Sequence, residues 1–302
     1  MKDLTFGIEI ELTGISRQEA AKALAQHLAS SAYHTGGGYD KWEVTDPRGR
    51  IWAIMNDSSL TPETKRGGRR RAAGSDHRLE LVSPILTYAD IETVQEITRA
   101  LRAAGAFANS STAVHIHVGK EKFNARTLRN LVNIMASKED LIYQALQVRP
   151  GRERQYCKKV SESFLDGLNR QKPKELEQLE ELWYRDYSWR RTARYHPSRY
   201  HGLNLHATFN GPTVEYRLFN GTTHAGRIKA YIQFCLAVSH QALSQKSASA
   251  KKTRTSNAKY TFRTWLLRLG LIGEEFETAR LHLLKNLEGD SAFRNGRQAA
   301  GA

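Results

Sequence analysis

The 302 residues suffice for one large domain or two small ones around a core of ordinary density. Lys and Arg number 46 against 31 Asp and Glu, and the resulting formal charge of +15 suits acidic partners: nucleotides, phosphorylated substrates, acidic peptides or nucleic acid. The two distant cysteines, Cys157 and Cys235, exclude a disulfide framework and a thiolate zinc site, and no apolar run reaches the roughly 18 to 20 residues of a membrane span. With "MKDLT" running straight into the first strand and no apolar leader, the expectation is a soluble cytoplasmic protein without a membrane partner.

The first predicted element, "FGIEIELTG" (6–14), is a strand with apolar Phe6, Ile8, Ile10 and Leu12 on one face. Glu9 and Glu11 share the other face, where like charges repel, so something positive is expected between them. "SRQEAAKALAQHLASS" (16–31) opens on a Ser-x-x-Glu capping box and spaces Ala20, Leu24 and Leu28 as an amphipathic helix does. "KWEVTDPRGRIWAIMNDSSL" reads as two strands around an Asp-Pro-x-Gly turn, and "RLELVSPIL" as a strand ending before Pro84.

Further on, "YADIETVQEITRALRAAGAF" is a helix, "SSTAVHIHVGK" a strand and "NARTLRNLVNIMASKEDLIYQAL" a second strong helix. The stretch from about 149 to 200 reads as an inserted, highly charged helical region in a single domain spanning 1–302. "LNLHATFNGPTVEYRLFNG" predicts two strands joined by an Asn-Gly-Pro turn, and "HAGRIKAYIQFCLAVSHQAL" a packed helix. The Ser- and Lys-rich stretch 244–258 predicts a flexible basic loop.

Three further strands repeat the device of the first. "VHIHV" sets His115 and His117 against Val114, Ile116 and Val118; "TVEYRLF" sets Glu215 and Arg217 against Val214, Tyr216 and Leu218; "RLELV" contributes Glu80. Were they neighbours in one sheet, their polar faces would line a concave surface suited to a hard divalent cation such as Mg²⁺. Taken singly, each pattern is equally that of a solvated strand face.

In order along the chain, "GIEIEL", "NDSSL", "LELVSP", "VHIHVG" and "LNLHATFNGPTVEYRLFNGTTH" resemble the amidoligases of the carboxylate-amine ligase superfamily, relatives of glutamine synthetase and glutamate-cysteine ligase. The resemblance spans roughly 6–287. It implies an α+β fold, an antiparallel, partly open barrel of the glutamine synthetase type flanked by helices, holding ATP and two or three Mg²⁺ ions. It also implies an activity: ATP phosphorylates a carboxylate, and an amine displaces phosphate from the acyl phosphate to leave an amide.

Carried over by position, Glu9, Glu11, Glu80, His115 and Glu215 would bind metal, His117 would contact ATP phosphate, and Arg217 would serve the transferring phosphoryl group. Asp57 in "NDSSL" would help bind or deprotonate the amine, although Ser58 stands where the family has Gly, and Ser58 itself would contact substrate. Asn204 would touch nucleotide or substrate. Apart from the resemblance, Arg149 and Arg154, at the start of the inserted helical region, are either solvated surface arginines or anchors of the substrate carboxylate, whose geometry guanidinium forks match.

Two basic stretches stand outside these motifs. "TPETKRGGRRRAAGSDHR" packs Lys65, Arg66, Arg69, Arg70 and Arg71 around a Gly pair, as a solvated loop or as the receiver of an acidic or nucleic-acid-linked substrate. "WYRDYSWRRTARYHPSRYHG" interleaves five arginines with aromatics, which serves either plain packing with snorkelling Arg stems or stacking on single-stranded nucleic acid. Two alternatives to the ligase therefore stand: an inactive nucleic-acid-binding protein on the same scaffold, and a metal-dependent hydrolase built on His115 and His117. Gly36 to Gly38 lack the Gly-Lys-Ser/Thr of a P-loop, so nucleotide binding rests on the metal-centred reading.

Overall fold

A computed structural model describes residues 1–294. The chain is a mixed α/β protein that divides into two compact units, Lys2–His117 with Phe219–Ile232, and Val118–Leu218 with the chain from Gln233 onward.

In chain order, the first unit contributes β1 (Phe6–Leu12), α1 (Arg17–His27), β2 (Ala32–Gly36), β3 (Lys41–Thr45), β4 (Ile51–Met55), β5 (Glu63–Arg66), β6 (Arg69–Ala72), β7 (Leu79–Val82), α2 (Ile91–Ala103) and most of β8 (Ala113–Gly119). Its large sheet has the order β2-β3-β4-β7-β1-β8. The pairs β2–β3, β3–β4, β4–β7 and β1–β7 are antiparallel. The sheet is not closed into a barrel, which corrects the expectation of a partly open one. Closure needs the end strand to find a second partner, and among the described residues β2 pairs with β3 alone. The middle of β2 is also exposed and largely polar at Tyr33, His34 and Thr35.

The two-faced strands form as their alternation dictates. Phe6, Ile8, Ile10 and Leu12 of β1, Leu79 and Leu81 of β7, and Val114 and Ile116 of β8 are buried. Each such side chain stabilises by about 1.5–3 kcal/mol. Helix α1 lies against β3, β4 and α2, and starts at the expected box: Ser16 caps Glu19 N–H, and the Glu19 carboxylate accepts from Ser16 N–H at 2.8 Å. The Asp-Pro-x-Gly turn sits between β3 and β4, with Asp46 accepting from the amides of Arg48 and Arg50 at 2.9 Å each. The basic stretch forms a small hairpin, β5–β6, whose tip residues Gly67 and Gly68 have φ of +56° and +75°.

The second unit is mainly helical: α3 (Ala125–Leu146), α4 (Pro150–Gln155), α5 (Glu162–Gln171), α6 (Leu176–Tyr184), β9 (Leu203–Asn204), α7 (His206–Asn210), most of β10 (Thr213–Asn220), the later part of α8 (Ala225–Ser244), α9 (Ala258–Arg268) and α10 (Glu277–Leu284). Strands β9 and β10 pair antiparallel, Glu215 opposite Asn204. The turn predicted between them is a short helix instead, because Asn204 Oδ1 accepts from His206 N–H at 2.9 Å and bends the chain into α7. Phe234 packs with Phe262 and Trp265, and Trp183 and Tyr184 are buried, whereas Trp189 and Tyr195 are exposed. Both cysteines are buried and free, and among the described residues no helix is long and apolar enough to cross a membrane.

Candidate metal centre

The antiparallel register of β1 and β7 sets Glu11 directly opposite Glu80. Two carboxylates so placed repel, and Glu11 is only 4% exposed, where water screens little. Strand β8 brings the nearest counter-groups. Gly7 lies against His117, Glu9 against His115 and Glu11 against Ala113, a sequence of contacts that runs in opposite directions along β1 and β8.

The buried His115 ring faces a carboxylate with each nitrogen: Nδ1 is 2.9 Å from Glu9 Oε2 and Nε2 is 3.6 Å from Glu11 Oε1. His117 Nε2 is 3.3 Å from Glu9 Oε1, and the Ala113 amide donates to Glu11 Oε2 at 2.7 Å. Burial by itself would raise the pKa of Glu9. The charge of His117 and the hydrogen bonds from His115 and His117 outweigh it and hold this carboxyl well below the usual range.

Glu11, Glu80 and His115 each offer one ligand atom, and these atoms lie within 4.8 Å of one another. An opposed carboxylate pair, Glu11 buried and Glu80 half-buried, with one imidazole is a donor set that a divalent cation fits, since the ion supplies the positive charge the register demands. Thus the first unit brings together Glu9, Glu11, Glu80, His115 and His117.

Asp57 and Ser58 follow β4 in a turn. Asp57 Oδ1 accepts from Ser59 N–H at 2.8 Å, so its side chain is fixed by its own loop, and Ser58 is exposed. Near the hairpin, Lys65 and Arg70 lie over the Phe107 ring, 4.8 and 4.9 Å from its centroid, and Arg70 pairs with Glu63 at 3.6 Å. Residues opposite one another share a face, so Arg66 and Arg69 project from the side away from Lys65 and Arg70.

In the second unit, Asn204, Glu215 and Arg217 come together. Asn204 Nδ2 donates to Glu215 Oε2, and Arg217 Nη1 to Glu215 Oε1, both at 2.5 Å, so the buried carboxylate is gripped at both oxygens. Arg154 is exposed and Arg149 half-buried at the start of α4. The arginine that turns inward is Arg152, 5% exposed, which donates to the Arg217 carbonyl at 2.9 Å. Nothing local in the sequence marks Arg152 for this role, because its partner lies 65 residues away; the sequence shows only that it stands between Arg149 and Arg154, at a six-residue helix.

A family model described as "Putative amidoligase enzyme" matches residues 2–239, which takes in every strand among the described residues. No curated protein matches the chain. Because the matched segment covers well over half of its length, the chain belongs to the amidoligase family, a family named for ligases.

Proposed function

We propose that the chain is an ATP- and Mg²⁺-dependent carboxylate-amine ligase that forms an amide through an acyl phosphate. The observation that supports this most is the opposition of Glu11 and Glu80 beside His115, on a scaffold that matches the amidoligases. An open antiparallel sheet with one carboxylate-bearing face is also our ground for relating it to the glutamine synthetase catalytic fold.

In this reading Glu9, Glu11, Glu80 and His115 would hold Mg²⁺. Mg²⁺ held there would supply positive charge for phosphate oxygens, and ATP would supply the phosphoryl group that activates the carboxylate. His117, fixed against Glu9, is the residue we assign to ATP phosphate. In the other unit, Glu215 is proposed as a further metal ligand, Asn204 as a nucleotide contact, and Arg217 as the charge on the transferring phosphoryl group. The grip of Glu215 and Asn204 preorganises that cluster, so little is spent on ordering it at reaction. Asp57 takes the amine proton, with Ser58 beside it for substrate. Arg149 and Arg154 anchor an acidic or nucleic-acid-linked substrate. The net charge of +15 favours the approach of such anions.

The test is calorimetry with ATP, with and without Mg²⁺, on the intact chain and on Glu11→Gln and Glu80→Gln. Both variants are near-isosteric and remove carboxylate repulsion, so they should fold. Mg²⁺-dependent binding should weaken at least about tenfold in each. An intact chain whose ATP binding ignores Mg²⁺ would sink the reading.

A further inference from the structure

The second unit carries a cavity of about 1090 Å³ that shares no residue with the candidate metal centre and lies mostly beyond the family match, which stops at residue 239. Helix α3 supplies Lys138 to its wall, the 245–257 segment supplies Arg254, α9 supplies Arg268, and Arg294 completes four cations. Among the described residues no Asp or Glu lines it; the other polar side-chain groups are Gln, the hydroxyls of Ser, Thr and Tyr260, and the Trp265 indole N–H.

Acids are close by but are used elsewhere. Lys252, from the same segment, pairs with Glu139 at 3.3 Å, whereas Lys138 Nζ donates to Thr253 Oγ1 at 2.6 Å. Among the described residues none of the four lining cations forms an ion pair. Burial, and then the positive charge of Arg268, pull the Lys138 pKa below its ordinary value. The fold therefore gathers like charges here without answering them.

The wall is built rather than left to chance. Asn130 Nδ2 donates to the Gln245 carbonyl at 2.8 Å, Asn133 Nδ2 to that of Ala248 at 3.0 Å, and Thr253 N–H to that of Ser137 at 2.9 Å. Side chains and carbonyls along α3 thus pin the segment in place, so a ligand would meet a preformed site. Guanidinium forks, an ammonium and hydroxyl donors together match phosphoryl oxygens. Trp265 is only 5% exposed, which leaves half-buried Tyr260 as the aromatic face of the described lining, whereas single strands are held by stacking successive bases on several such faces.

We propose that this cavity binds a compact oligophosphate, a small molecule carrying two or more phosphoryl groups. The test is titration of the full chain with inorganic tripolyphosphate in EDTA, at about 0.15 M salt to screen diffuse attraction. We expect one site per chain, weakened at least about tenfold in Arg254→Gln/Arg268→Gln and in Lys138→Met. It should be unchanged in Arg99→Gln/Arg102→Gln, which removes the same charge from the exposed side of α2.

Circular dichroism melts of each variant confirm folding, and Arg254→Lys/Arg268→Lys should restore part of the affinity. No binding up to about 1 mM, or equal weakening in the α2 control, would overturn the proposal. So would a single-stranded oligothymidylate that binds through these cations while tripolyphosphate does not, since that outcome makes the cavity a strand site.

Discussion

Asp90 is buried to 2% exposure, yet it keeps its charge because Arg48 and Arg50 donate to it at 3.0 Å and the Thr87 amide and hydroxyl at 2.8 and 2.9 Å. Burial would raise its pKa; the hydrogen bonds from Arg50 and Thr87 and the Arg50 charge win and lower it to about 2 from 3.8. A carboxyl depressed in the fold contributes stability that is complete above the unfolded value and is lost as pH falls through the folded one. The contribution of Asp90 should therefore disappear between pH 3.8 and about 2, a change of about 2 kcal/mol. Asp90→Asn should lower stability near neutrality by about that amount and flatten the acid limb, as read by urea unfolding at a series of pH values. An unchanged acid limb would show that the guanidinium partners contribute nothing net. Glu11 shows the opposite environment: the residue across from it is another carboxylate rather than an arginine. That difference separates a structural charge from a candidate ligand.

Where β1 gives way to α1, Gly14 has φ of +105°, and a Cβ there would stand 2.5 Å from the Gly105 carbonyl oxygen and 2.6 Å from the Phe107 ring. The close approach exists because Thr13 and Phe107 bond reciprocally, at 2.9 and 2.8 Å, beside it. Gly14→Ala should thus cost about 3 kcal/mol by strain and overpacking together. Gly67, at the open tip of β5–β6 with φ of +56° and nothing near its missing Cβ, should cost only about 1 kcal/mol on the same change. Urea midpoints of the two variants check the contrast, and equal losses would refute the steric part. Elements like β1, α1 and the β3–β4 turn were legible in the sequence because their signals are local: alternation, a capping box, a Pro and Gly turn. The β5–β6 hairpin was not, since "ETKRGGRRRA" has no apolar period for burial to reveal. The face carrying Glu9, Glu11, Glu80, His115 and His117 could be read from parity, but the opposition of Glu11 and Glu80 is a matter of register between strands far apart in sequence. The inward turn of Arg152 is likewise set by a distant strand.

Across the whole chain, an excess of 15 positive charges attracts polyanions to any surface at low ionic strength, so binding alone says little about where a ligand sits. Place becomes readable because Glu11, Glu80 and His115 belong to one unit and the basic cavity to the other. A ligand at 100 times its Kd stabilises the state it binds by about 2.7 kcal/mol, which slows exchange of amides that open with that state by roughly a hundredfold. Hydrogen exchange at 0.15 M salt, where the Debye length is about 8 Å, should therefore show two separate footprints. Mg²⁺ is expected to protect β1, β7 and β8, and tripolyphosphate the 245–257 segment and α9. Lowering the salt should spread the tripolyphosphate footprint to exposed basic elements such as β5–β6 while leaving that of Mg²⁺ in place, because carboxylates on a half-buried strand face select a cation by contact and surface arginines hold anions by field. Mg²⁺ that protects neither β1 nor β7 would remove the metal centre, and tripolyphosphate protection that stays diffuse at 0.15 M would reduce the cavity to one more patch of the general charge.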